Sequence, residues 1–189
     1  MKRPSAIPLV LAACAMLAQG CLGRAIKEGV GTVRGAKGTF APIRPLSEIK
    51  NEPVLAQYAN FELGPISDDL GGKTPAELWQ YLPGEFHEAL LKKKLPMQPG
   101  GKTLLVRGRV IHYESAGTLG MAIGPLEEVI VRTELVDKST GKVLAVGNCI
   151  GRTEETVNSG VQKKAEGLAK AFVAWIDAHY PKTGREQTE

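Results

Sequence analysis

TLLVRGRVIHY, residues 103–113, is the stretch that decides the fold of this chain. Leu104, Val106, Gly108, Val110 and His112 fall on one side of an extended backbone and Arg107 and Arg109 on the other, the period-two pattern of a half-buried strand. Residues 127–137 repeat it, with Val129, Val131, Thr133 and Leu135 inward and Arg132 and Glu134 outward. Asp137-Lys138-Ser139-Thr140-Gly141-Lys142 has turn chemistry, so Val143 to Ile150 reads as the returning strand of a hairpin.

Upstream, Val54 to Leu63 reads as a further strand closed by Gly64-Pro65. Thr74-Pro75-Ala76-Glu77 has the form of a helix start. The threonine side chain accepts from the N3 amide, proline suits the first helical position, and Glu77 completes a capping box. Leu78, Leu82, Phe86 and Leu90 follow in steps of four, Pro83-Gly84 is expected to kink or split the helix, and Lys92 to Lys94 with Pro96 end it. Near the C-terminus Val161, Ala165, Leu168, Phe172, Trp175 or Ile176, and His179 recur at helical spacing until Pro181. About twenty residues at ~1.5 Å each make that helix roughly 30 Å long, enough to cross a sheet. The order strand, helix, three strands, helix predicts an α+β fold. It has a mostly antiparallel sheet of about four strands and both helices on one face. One domain spans residues 54–180, and residues 181–189 are a polar, disordered tail.

The N-terminus has a different character. Lys2 and Arg3 precede an uninterrupted apolar run from Ala6 to Ala18, and Gly20 precedes Cys21, the composition of a secretory signal peptide. The run resembles the lipobox of bacterial lipoproteins, whose cysteine is acylated and becomes the mature N-terminus. Cys21 is favoured because it leaves a signal of ordinary length over residues 1–20; Cys14 is the alternative, with Leu11-Ala12-Ala13 before it but a short apolar core. A retained membrane span is disfavoured, since Arg24 and Lys27 close the stretch too early. At about 0.8 kcal/mol per buried CH₂, two or three acyl chains hold a protein on a membrane almost irreversibly. By resemblance to sorted lipoproteins, Leu22 after the cysteine implies the outer membrane, with the domain facing the periplasm. Residues 21–53 are rich in glycine and positive charge and read as a flexible tether with an r.m.s. span of roughly 30 Å. Its basic residues are equally suited to rest on anionic lipid, and Ile26, Val30 and Val33 to form a short surface helix.

Charge and cysteine usage narrow the function classes. Removing Lys2 and Arg3 with the signal takes the 24 basic residues to 22 against 20 acids, a net of +2. The longest basic run, Lys92-Lys93-Lys94, sits at a helix C-terminus where the dipole favours it, so nucleic acid is not expected as a partner. With Cys14 and Cys21 assigned to the signal and its anchor, Cys149 has no intrachain partner, which excludes a disulfide framework; in an apolar strand it reads as a small hydrophobe.

No catalytic, cofactor or metal pattern is legible. His87, His112 and His179 are far apart, and the glycines of residues 29–35 follow no strand and lack a P-loop lysine. Ser115 has no nucleophile-elbow setting, and Asp68-Asp69 and Glu127-Glu128 suit a solvated loop and a strand start. Two places are candidates for interaction. Trp79 and Tyr81 fall off the apolar helix line, so that either anchors a partner or Trp79 caps the core edge. The connection Ser115 to Pro125, with Gly117, Leu119, Gly120 and Met121, is apolar for a surface loop.

The strand 103–110, the Gly117 to Gly120 loop and the run Val131 to Ala145 with its D-x-x-T-G-K hairpin resemble a family of small bacterial lipoproteins known only as a domain of unknown function. The resemblance implies a domain similar to periplasmic assembly lipoproteins and brings no catalytic residue. Gly124-Pro125 departs from the pattern. Taken together, the sequence predicts a non-enzymatic, membrane-anchored envelope lipoprotein that docks on an envelope protein or on itself; the alternative is a periplasmic module binding a small ligand or glycan.

Overall fold

The computed structural model describes residues 35–46, 54–114, 127–153 and 160–182. Five strands form one sheet: β1 (Lys37–Arg44), β2 (Asn60–Asp68), β3 (Thr103–Tyr113), β4 (Glu127–Asp137) and β5 (Val143–Thr153). Helix α1 (Ala76–Lys92) lies between β2 and β3, and helix α2 (Gly160–Ala178) follows β5. The spatial order is β1-β5-β4-β3-β2, antiparallel except for the β2–β3 pair, which is parallel. The α+β class, the central three strands and both helices agree with the sequence reading, but the sheet has five strands rather than about four.

The extra strand is β1, which falls inside the segment read as a flexible tether. It pairs with β5 from Lys37 opposite Arg152 to Arg44 opposite Val146. The Phe40 ring stacks on Trp175 of α2 at 6.0 Å between centroids, and the Lys170 ammonium donates to the Ala36 carbonyl at 3.0 Å. Sequence composition does not show it because most of β1 is exposed, so it has no alternation. The strand expected over residues 54–63 is displaced too. Val54–Gln57 is a 3-10 turn that buries Leu55, and β2 begins at Asn60 and runs past Gly64-Pro65 through a register shift between Leu63 and Ile66.

Local signals behave unevenly. The expected capping box is not formed: Pro75 occupies the N-cap position of α1, and the Thr74 hydroxyl donates to Asp68 Oδ1 at 2.8 Å instead. Pro83 sits inside a continuous helix, neither splitting it nor ending it, with Pro83 and Gly84 both on the exposed side. The inward set of β4, Val129, Val131, Thr133 and Leu135, is fully buried. His112 is not inward; a register shift between Val110 and His112 turns it out toward Glu128 and Glu114.

Both helices pack on the same side of the sheet. Phe86 of α1 meets Phe172 of α2 edge-on at 6.4 Å, and Leu104, Val106, Val129, Val131, Ala145 and Cys149 complete that core. Helix α2 lies unusually close to β5 and β1, and three glycines make this possible. A Cβ on Gly151 would fall 2.5 Å from Leu168 N and from Lys164 O; one on Gly38, within 2.2 Å of Gly167 O; one on Gly167, 2.6 Å from Lys37 O. The Trp175 ring lies over Gly147, where a Cβ would come within 2.9 Å of it. Its indole N–H is buried without a partner among the described residues, an omission worth about 1–3 kcal/mol that the large apolar burial of the ring offsets.

The obstructing atoms at Gly151 are backbone, so the helix must shift to admit a methyl group. Gly151→Ala is expected to lower stability by about 3 kcal/mol or more. Gly84, a helical glycine with open space around its Cβ position, gives the opposite sign: Gly84→Ala raises stability by about 0.5–1 kcal/mol. Urea unfolding of the two variants beside the parent checks both; similar effects at the two sites would contradict the close-packed seam.

Candidate functional site: the uncovered face of the sheet

Placing α1 and α2 on one side leaves the other side of the sheet with neither described helix on it. Strand alternation sends Leu105, Arg107 and Arg109 of β3, Glu128, Ile130, Arg132 and Glu134 of β4, and Val146, Asn148, Ile150 and Arg152 of β5 to this face, where all are at least partly exposed. Pairing register then fixes which side chains lie side by side. Ser67 is opposite Arg109, Arg109 opposite Arg132, and Arg132 opposite Asn148, a row across four strands. In the neighbouring row Arg107 is opposite Glu134.

The arginines are not equally compensated. Arg107 donates through Nε and Nη2 to Glu134 Oε2, both at 2.9 Å. Arg152 reaches Glu128 at 2.9 Å, and Arg109 reaches Asp69 at 3.3 Å on the exposed rim. Arg132 instead donates Nε to the neutral amide oxygen of Asn148 at 2.7 Å. Two cations directly opposite each other across strands destabilise a sheet unless something negative lies between them. The surface pairs themselves contribute only about 0–1 kcal/mol each. Around this row a shallow cavity of about 410 Å³ is lined by Ser67, Arg107, Arg109, Arg132, Glu134 and Val146, with Pro65 and Gly108. It presents guanidinium forks and the Ser67 hydroxyl.

Two other polar clusters are structural. Asp137 ends β4 and organises the hairpin: its Oδ1 accepts from Ser139 N at 3.0 Å, Ser139 Oγ at 2.5 Å and Thr140 N at 3.1 Å. Its Oδ2 accepts from Tyr58 OH at 2.9 Å and pairs with Lys102 Nζ at 3.0 Å. These donors, Ser139 first and Lys102 next, hold the Asp137 carboxyl well below the usual carboxylate range, while burial and then Asp137 push the Tyr58 phenol far above its ordinary value. At the opposite end of the sheet Lys164, fully buried in α2, pairs with Glu127 at 2.7 Å and lies 4.4 Å over the Tyr113 ring. Burial, then Glu127 and Glu77, push the Tyr113 phenol up to about 12. Such a buried pair is a packing commitment; removing one partner costs about 3–5 kcal/mol.

Of the residues singled out in the sequence, Trp79 is half-buried against the core and forms one wall of an apolar cleft of about 270 Å³ with Leu63, Gly64, Ile66, Leu82 and Pro83. Tyr81 is exposed, away from that cleft. Cys14, Cys21, Gly117, Leu119, Gly120 and Met121 lie outside the described residues. Cys149 is fully buried, and burial pushes its thiol up to about 12, so it is a packing residue. Among the described residues no three His, Cys, Asp or Glu side chains are grouped to hold a metal. Sequence alternation places Arg109 and Arg132 outward but does not show them opposed, because that depends on register across a connection that sequence does not align.

No family model matches the chain, including any for the domain of unknown function that its hairpin and loop resemble, and no curated protein matches it in sequence. Among solved structures it is similar to PelC from Paraburkholderia phytofirmans, a dodecamer, at 15% identity over 74% of this chain and 97% of that chain, with a TM-score of 0.45. A second PelC crystal form gives 12% identity and a TM-score of 0.41 over 75% of this chain and 97% of that chain. A minor lipoprotein from Acinetobacter baumannii is 18% identical over 60% of this chain and 92% of that chain, with a TM-score of 0.30. Each overlap is partial and at low identity, so none identifies the chain.

The Asp137 cluster has a pH signature. Because its folded pKa is depressed, the stabilisation it gives is fully present above the unfolded carboxylate value near ~4 and is lost as pH falls through the folded value. Asp137→Asn is thus expected to be less stable than the parent at neutral pH, with the gap closing below about pH 4. Thermal melts of both proteins between neutral and acid pH read this directly; a gap independent of pH would contradict it.

Proposed function

We propose that this chain is a membrane-anchored, non-enzymatic docking module of the bacterial envelope, tethered through Cys21 and binding a partner on the uncovered face of its sheet. The observation that carries the reading is that face: a five-stranded sheet with both described helices on one side and, on the other, an arginine row with aliphatic neighbours. The signal-like N-terminus and the cysteine preceded by Gly20 support export and lipidation, with the periplasmic side of the outer membrane as the expected address. No helix among the described residues is long and apolar enough to cross a membrane. The corners that carry perturbed titratable groups support binding rather than turnover, since Asp137, Tyr58 and Tyr113 are engaged in holding the hairpin and the sheet end.

Two results are expected. The parent chain is recovered from the membrane fraction with the intact mass of residues 21–189 plus acyl chains, and Cys21→Ser moves it to the soluble fraction. A photo-cross-linker at Ile150 on the uncovered face traps a defined protein band in cells, whereas one at Gln80 on the exposed side of α1 does not. An unmodified soluble parent would remove the anchor, and equal trapping at both positions would remove the docking face.

A further inference from the structure

We propose that the Arg109–Arg132 row is a carboxylate-docking site, which takes the side chain of an aspartate or glutamate from a partner protein lying on the uncovered face. This rests on the docking-module reading and names the chemistry of its partner. The charge count at the cavity fixes the size of the missing counterion. Arg107, Arg109 and Arg132 bring three guanidinium groups, Glu134 lines the same cavity, and Asp69 reaches Arg109 from the rim, which leaves a single positive charge. That charge sits on the Arg132 side, because the described partner of Arg132 is the neutral Asn148 oxygen.

A single excess charge calls for a monoanion. A planar carboxylate fits the fork of a guanidinium and can lie between the two opposed arginines, with Ser67 beside Arg109 as a further donor. A phosphate dianion would bring a second negative charge against Glu134 and Asp69.

The surroundings select a protein as the bearer. Pro65 and Val146 form the apolar wall of the cavity, Ile130 and Ile150 flank the row at half-burial, and the cations of the cavity are all arginine. Arginine is enriched and lysine depleted at protein interfaces. A second copy of this chain is a poor occupant. A two-fold axis through the row would set each arginine row against its own copy, like charge on like charge.

The test is an NMR titration of the full chain in detergent micelles, following arginine Nε–Hε signals. The probes are Ac-Ile-Glu-Ile-amide, the same peptide with Gln for Glu, inorganic phosphate and an oligogalacturonate. The expected result is saturable shifts at Arg109 and Arg132 with the Glu peptide alone. Arg132→Gln should weaken that binding about tenfold, and Arg152→Gln, in the neighbouring Glu128 pair, should change it less than about twofold. Arg132→Lys, which keeps the charge and loses the fork, should also weaken it, and covers the case in which Arg132→Gln fails to fold. An equal response to the Gln peptide, tighter binding of phosphate, tighter binding of the oligogalacturonate, or equal effects of Arg132→Gln and Arg152→Gln would each overturn the proposal. The membrane anchor is read independently from the mass of the membrane-bound chain, so a failed anchor and a failed carboxylate site give different results.

Discussion

The close approach of α2 to the β1–β5 side of the sheet is the constraint on which the rest of the structure depends. Gly38, Gly151 and Gly167 come from three different elements, and each lets backbone meet backbone at a distance that a side chain would forbid. Because the helix sits so low, Trp175 reaches Gly147 and Phe40, and Lys164 is drawn into the interior, where it needs Glu127. Dispersion and burial at this seam replace the larger core that a domain of this size cannot build. The same glycines explain why β1 belongs to the sheet: its inner face has a helix to pack against.

Committing both helices to one side has a consequence on the other. The bare face is charged, and the cross-strand pairs Arg107–Glu134 and Arg152–Glu128 balance much of that charge. The Arg109–Arg132 opposition departs from that balance, with Asp69 the carboxylate beside Arg109 and the neutral Asn148 beside Arg132. Both sheet edges are blunted by proline at a register shift, Pro42 in β1 and Pro65 in β2, which discourages strand addition to another chain.

The core strands were legible because their alternation is strict: Val129, Val131 and Leu135 could only face inward, and Leu78, Leu82 and Phe86 could only line one side of a helix. Elements at the margin were not. β1 shows no alternation because most of it is exposed at the edge, and its glycine content, the mark of a tether, is in part the mark of close packing at Gly38. Thr74 looked like a cap, yet Asp68 holds its hydroxyl while collecting the Leu70 and Gly72 amides. The arginines of the face were visible as outward residues, but cross-strand register is a tertiary property. One residue of slip at the Val110–His112 bulge would have changed every partner beyond it.

Helices α1 and α2 close one face of this sheet, and a partner is proposed to occupy the other in the cell. Hydroxyl-radical footprinting of the chain in intact envelopes, compared with the purified chain in detergent, tests it most directly. Leu105, Ile130, Val146 and Ile150 are expected to be protected in the envelope, while Tyr81 and Leu91, exposed on α1, are labelled equally in both. Equal labelling of the uncovered face in the two settings, or protection confined to α1, would contradict it.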